Sequence, residues 1–249
     1  MSKTKPQTPP PSSLLNRVIL AIIGPLAAAT LITSLTNNQD SRASIALFLG
    51  VLGVVSGVLG WRWYGLPESG LRGGRPLFAG IGFAVLAWVI VFLARLYFVD
   101  SQGLGATGAA AEFLHLLLFE ALCVQLFAFG PFFRAVVDWR GPLTAAIAGG
   151  VVFAFMGLIY FAEPFGSNLF ALFYLLTWGI LYGVIRLRTG SWLGIAVIQA
   201  MQGFTAWFVL LPPAELDLAW LDRMHGVVGV LFIVIIWRLW PKTEEDYRV

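Results

Sequence analysis

Eight runs of mainly apolar residues recur along the chain, at 14–36, 43–61, 77–99, 108–131, 142–161, 167–185, 191–211 and 225–240. A helix needs roughly 20 such residues to cross the hydrocarbon of a bilayer. The runs are unbroken rather than alternating, which points to helices and away from a β-barrel. The pattern predicts an all-α fold, a polytopic transmembrane helix bundle of about eight helices. The fifth and sixth runs are separated only by residues 162–166, where Pro164 and Gly166 predict a turn. The last run is the shortest, and Trp237 and Trp240 give it an interfacial anchor. Residues 1–13, with Pro9-Pro10-Pro11 among them, offer almost nothing apolar to bury and predict a disordered tail. Ala27-Ala28-Ala29 has the small residues of a signal-peptide cleavage site, but the apolar run continues past it to Leu35.

Composition sharpens this picture. Of 249 residues, 59% are hydrophobic and 12% charged, with mean hydropathy +0.83. Soluble domains carry about twice that charge, so a soluble enzyme, a disordered chain and a collagen-like one are excluded. A single Cys excludes a disulfide framework and a Cys-based metal site. The net charge of +3 says less than its distribution. On one side of the predicted bundle lie Lys3, Lys5, Arg17, Arg62, Arg72, Arg75, Arg134, Arg140, Arg186, Arg188, Arg238, Lys242 and Arg248; Arg42, Arg95 and Arg223 fall on the other. The positive-inside rule then places both termini in the cytoplasm or its equivalent. Lys3, Lys5 and Arg17 are too few for a polybasic lipid anchor.

Charged groups inside a membrane are costly and need a reason. The fourth run holds Glu112, His115, Glu120 and Gln125. At 3.6 residues per turn the first three share a broad stripe facing the bundle, while Gln125, about 140° from Glu120, points elsewhere. Glu112-x-x-His115 is half of a di-carboxylate metal motif, and the other half is missing. This leaves an interhelical hydrogen bond, a weak metal site at Glu112 and His115, or axial ligation of a porphyrin or chlorophyll by His115. Gln199 and Gln202 share a face of the seventh run. Glu120 and Gln199 both lie roughly 12–17 Å from the basic end of their helices. They are expected to meet, with Glu120 buried and protonated.

The second half resembles the CPBP intramembrane proteases, the CAAX-protease or bacteriocin-processing (Abi) family. The residues that carry the likeness run in order. They are Phe119-Glu120-Ala121-Leu122-Cys123-Val124-Gln125, Phe153-Ala154-Phe155-Met156-Gly157, Gly179 to Gly183, Arg188-Thr189-Gly190-Ser191-Trp192, and Ile198-Gln199-Ala200-Met201-Gln202. The family pattern has Glu-Glu-x-x-x-Arg, Phe-x-x-x-His and a later His-x-x-x-Asn/Asp that follows an Arg-Thr-Gly-Ser turn. The resemblance divides the chain into a tail (1–13), N-terminal transmembrane helices (14–104), a CPBP-like core (105–211), and a last helix with its own tail (212–249). It implies an intramembrane endopeptidase in which Glu activates water and the His residues supply a metal site or hydrogen-bond donors.

The departures fall on that chemistry. Glu120 is retained, but the second Glu position is Ala121, the Arg position Gln125, and the two His positions Gly157 and Gln199. General-base hydrolysis needs a base plus stabilisation of the oxyanion, and a catalytic zinc needs about three protein ligands. No cofactor is therefore expected, zinc entering only with an active protease. Three functions stay open: a catalytically degenerate scaffold, assembly or regulatory factor; an active CAAX-type endopeptidase using Glu120; and a structural subunit of a photosynthetic or respiratory complex. The expected surroundings are the lipid bilayer, of a bacterial plasma membrane or a thylakoid-type membrane, with other membrane proteins as partners and no nucleic acid.

Overall fold

The computed structural model describes residues 11–36, 40–105, 107–161, 163–165 and 168–248. Most of the expected N-terminal tail, residues 1–10, lies outside the described residues, and Pro11 already opens the first helix. The helices are α1 (Pro11–Thr36), α2 (Ser41–Tyr64), α3 (Arg75–Phe98), α4 (Ala109–His115), α5 (Val124–Phe129), α6 (Pro131–Arg140), α7 (Pro142–Tyr160), α8 (Leu169–Thr189), α9 (Leu193–Gly203) and α10 (Leu218–Leu239). A π-helical segment, Leu116–Cys123, joins α4 to α5, and a second, Phe204–Val209, continues α9. Among the described residues seven helical stretches are long and apolar enough to cross a membrane, namely α1, α2, α3, the run Ala109–Arg140, α7, α8 and α10. Leu193–Val209 is a shorter apolar helix. The chain is an all-α polytopic integral membrane protein, as the apolar runs predict.

Three boundaries differ from the sequence expectation. The fourth span does not stop at residue 131. Gly130 breaks the helix and Pro131 opens α6, because proline at a helix start forfeits only an N–H the first turn leaves unused. One face of α6 buries Phe132, Phe133 and Val136, while Arg134 on its other face pairs with Asp138 at 3.3 Å and with Glu68 at 3.6 Å. The last helix starts at Leu218 rather than 225, since the Asp217 carboxylate caps it by accepting from the N–H groups of Ala219 and Trp220. Two short strands, β1 (Gly103–Leu104) and β2 (Leu210–Leu211), pair antiparallel, the second within the end of the seventh apolar run.

Packing is closest between α7 and α8. A Cβ on Gly179 would stand 2.2 Å from the Gly150 carbonyl oxygen, and one on Gly183 2.2 Å from that of Ala146. The repeated spacing Ala146/Gly150 and Gly179/Gly183 places small residues one turn apart on each facing helix, which lets the backbones touch. Gly194 of α9 makes a similar approach to Leu77 and Ile81 of α3.

Charge segregates between the two ends. At the basic end Gly190 (φ 76°) closes α8 in the left-handed region, where a side chain is disfavoured. The hydroxyl of Ser191 donates to the Arg72 carbonyl at 2.8 Å, and the indole of Trp192 to the Ser69 carbonyl at 3.0 Å. Arg188 meets Asp246 at 3.4 Å, and the Arg248 N–H donates to Leu187 at 2.9 Å. The Arg-Thr-Gly-Ser turn thus ties the α2–α3 loop and the C-terminal tail together. The opposite end gathers Asp40, Asp100, Glu112, Glu163, Glu215, Asp217 and Asp222 against Arg42, Arg95 and Arg223. Arg95 is fully buried there and spends its donors on the carbonyls of Val99, Asp100, Ala206 and Leu210.

Candidate functional site

Both π-helical segments border one cavity. Its volume is about 100 Å³ and its walls include Glu112, Leu116 and Glu120 from the first segment's side and Trp207 and Phe208 from the second. Gln199, Ala200 and Gly203 of α9 complete one wall; Phe161, Glu163 and Trp178 close the other. π turns are uncommon and concentrate at functional sites because they re-aim side chains within a helix. A wider vestibule of about 320 Å³ adjoins the cavity and shares Glu112, Glu120 and Phe161 with it. The vestibule adds Ser41, Arg42, His115 and Tyr160. Glu112, His115 and Glu120 therefore do line a common space, as their stripe predicts. Glu112 is ion-paired with Arg42 at its rim.

Gln125 corrects the sequence expectation. It does not point elsewhere: its Nε2 donates to Oε1 of Gln199 at 2.7 Å, fully buried. The reason is the π-helical segment. Its i to i+5 hydrogen bonding puts more residues in each turn than an α-helix has, so the α-helical phase used to place Gln125 does not hold across residues 116–123. Gln199 in turn donates to Glu120 at 3.0 Å, but to its backbone carbonyl and not to its carboxylate. Glu120 itself is half-buried at the cavity wall rather than buried. Gln202, one turn along, donates to the Tyr174 hydroxyl at 3.1 Å. The two glutamines that share a face of α9 thus reach different neighbours.

Ala121, Phe153 and Gly157 do not line the cavity themselves, and the last two pack behind its wall residues Phe161 and Trp178. Ala121 is buried within the π-helical segment. Gly157 packs where a Cβ would stand 2.8 Å from Leu175 and 3.0 Å from Phe161, so the space a histidine would need is filled. Phe153 is fully buried among Phe129, Phe161, Trp178 and Tyr182. The donor set at these positions is one carboxylate and two amides, with no imidazole. These residues do not fit a catalytic zinc. At the weaker candidate pair, the Glu112 carboxylate is engaged by Arg42, and the His115 ring lies 5.2 Å from that of Phe119.

Glu163 escaped the sequence reading. It sits in the short linker between two apolar runs, where a carboxylate is ordinarily solvated, yet it is 6% exposed. Its Oε1 stands 3.6 Å from Nε2 of His225, too long for a hydrogen bond. His225 is fully buried, its ring 4.8 Å from that of Tyr174 in a near-parallel stack. The signal available in the sequence is pairing by position: Glu163 follows one span closely and His225 lies early in another, both at the acidic end. No protein-family model matches the chain, and no curated protein matches it.

Proposed function

We propose that this membrane protein is a CPBP-like chain whose catalytic centre has been replaced, and that it acts as a scaffold, assembly or regulatory factor within the bilayer. The observation that carries the reading is convergence. Glu120, Gln125 and Gln199, which the family pattern sets apart in sequence, form one hydrogen-bonded cluster beside one cavity. Gly157 approaches that cavity through Phe161. The replacements agree with one another. Two amides hydrogen-bond to each other where the pattern has Arg and His, and aromatic and aliphatic side chains occupy the place of the other His. Such a site holds helices together more readily than it activates water, because the amides are engaged with each other and with backbone.

Elemental analysis and peptidase assays on prenylated and unprenylated peptides test this directly. The expected result is no stoichiometric zinc and no cleavage. Gly157→His should restore neither, and should lower thermal stability, since even its Cβ collides with Leu175. Near-stoichiometric zinc, lost together with peptidase activity on Glu120→Ala, overturns the reading in favour of an active endopeptidase.

A further inference from the structure

The carboxylates of Glu112, Glu120 and Glu163 all border the cavity, yet among the described residues no three His, Cys, Asp or Glu side chains converge closely enough to hold a metal ion. They surround a space rather than a point. The rest of the lining is aromatic, with Phe161, Trp178, Trp207 and Phe208. Carboxylates and ring faces together are the chemistry that receives an organic ammonium group. Among the buried polar atoms on the walls that make no hydrogen bond are Oε1 of Glu163, on a residue 6% exposed, and Nε1 of Trp207, on one 9% exposed; Nε1 of Trp178 is a further unmatched donor. The first is an acceptor and the second a donor. A ligand that satisfies both carries N–H donors and an oxygen acceptor.

We infer that the cavity binds a small primary amine bearing an oxygen substituent, an amino alcohol or its phosphoester. The ammonium sits among Glu120 and Glu163, and the oxygen accepts from the Trp207 indole. A volume of about 100 Å³ holds several water-sized groups. Entry is through the vestibule, which shares Glu112 and Glu120 with the cavity. The arginines near the cavity already have partners, one of them a carboxylate of the cavity rim, and His225 stands 3.6 Å from Glu163. Arg42 pairs with Glu112, and Arg95, stacked over the Trp207 ring at 5.0 Å, donates to backbone carbonyls. The acidic excess at this end of the bundle draws cations toward the opening. Arg42, 59% exposed at the vestibule, can also meet a phosphoester, so the same chemistry fits a lipid headgroup or a free amine.

This inference does not rest on the family reading, which zinc and peptidase measurements decide separately. The test uses the full chain purified in a non-ionic maltoside detergent. Ethanolamine is titrated by calorimetry, and phosphatidylethanolamine is compared with phosphatidylglycerol by native mass spectrometry. Saturable ethanolamine binding assigns a soluble source; selective retention of phosphatidylethanolamine alone assigns a lipid one; both support the site. Glu163→Gln and Glu120→Gln should each weaken binding about tenfold or more. Gly203→Ala supplies a variant that removes no charge. Its Cβ makes ordinary contact with Leu116 at 3.7 Å, so it narrows the cavity without collision. It should also weaken binding. No saturable binding of either probe, or binding unchanged in folded Glu163→Gln and Gly203→Ala proteins, overturns the inference.

Discussion

Between α7 and α8, Ala146, Gly150, Gly179 and Gly183 remove side chains so that two backbones meet. Between the first π-helical segment and α9, Gln125, Gln199 and the Glu120 carbonyl meet through side-chain hydrogen bonds, and a cavity remains beside them. Lipid tails are as apolar as leucine, so neither seam gains from the hydrophobic effect that drives soluble cores together. The first seam uses dispersion and close fit, which any added atom spoils. The second uses directional polar contacts, which tolerate space beside them because hydrogen bonds fix position without filling volume. Close backbone fit and directional polar contact thereby fall on different interfaces of one bundle.

The largest effect should follow a change in the close seam. Gly179→Ala puts a methyl 2.2 Å from the Gly150 carbonyl oxygen, against backbone that has nowhere to move. Overpacking of this kind costs about 3 kcal/mol. Thermal denaturation in detergent should show a marked drop. Gly82→Ala is the matched control. It lies in α3 with nothing within 4 Å of the new Cβ, so it should be neutral or gain roughly 0.5–1 kcal/mol from helix propensity. Equal behaviour of the two variants would break the claim that α7 and α8 are joined by backbone approach.

Gln199→Leu tests the polar seam at smaller cost. It strips the acceptor from Gln125 and the donor from the Glu120 carbonyl. Interhelical polar contacts in membranes are worth about 1–2 kcal/mol at most, so the loss should be smaller than for Gly179→Ala. Glu120→Gln should leave this link intact, because Gln199 reaches the main chain at that position and not the carboxylate. A Gln199→Leu protein as stable as the parent would mean that the polar seam does not hold the helices.

The contrast also explains what could be read in advance. The apolar runs and the segregation of Arg and Lys to one end are patterns of composition and spacing. The small residues of α7 and α8, though not singled out by the sequence analysis, form a pattern of the same kind. They survive translation into structure because bilayer thickness and backbone contact impose them. The polar seam was half legible. The meeting of Glu120 and Gln199 follows from depth alone, but the partner atom and the part played by Gln125 do not. Both depend on the π-helical stretch at 116–123, and nothing in Leu116-Leu117-Leu118-Phe119 announces a change of helical period. Glu163 and His225 were hidden differently: one lies in a linker and the other in the early part of α10, so only the folded chain brings them within 3.6 Å. The fourth apolar run closes at Pro131, but proline ends helices and starts them alike, and Gly130 decides which.

The smallest effect belongs to the C-terminal tail, which touches neither seam and so calibrates both. Asp246 accepts from the Lys242 N–H at 3.0 Å and faces Arg188 at 3.4 Å. The backbone hydrogen bond, with Arg188 adding to it, holds its carboxyl below the ordinary aspartate range. A carboxyl whose folded value is depressed contributes fully above its unfolded value, near 3.9, and loses that contribution as pH falls through the lower folded value. Acidification below about pH 4 should therefore loosen the tail. The Arg248 amide, which donates to Leu187 at 2.9 Å, reports it. Hydrogen exchange at that amide should rise, relative to its intrinsic rate, with a midpoint below the ordinary aspartate value. Asp246→Asn should show the faster exchange at neutral pH and no further acid step. Because Asp246 lies at the surface, thermal stability of the bundle should stay unchanged through the same titration. If the melting temperature falls in step with the tail, the α8–α9 turn it rests on is coupled to the seams, and their separation from the basic end does not hold.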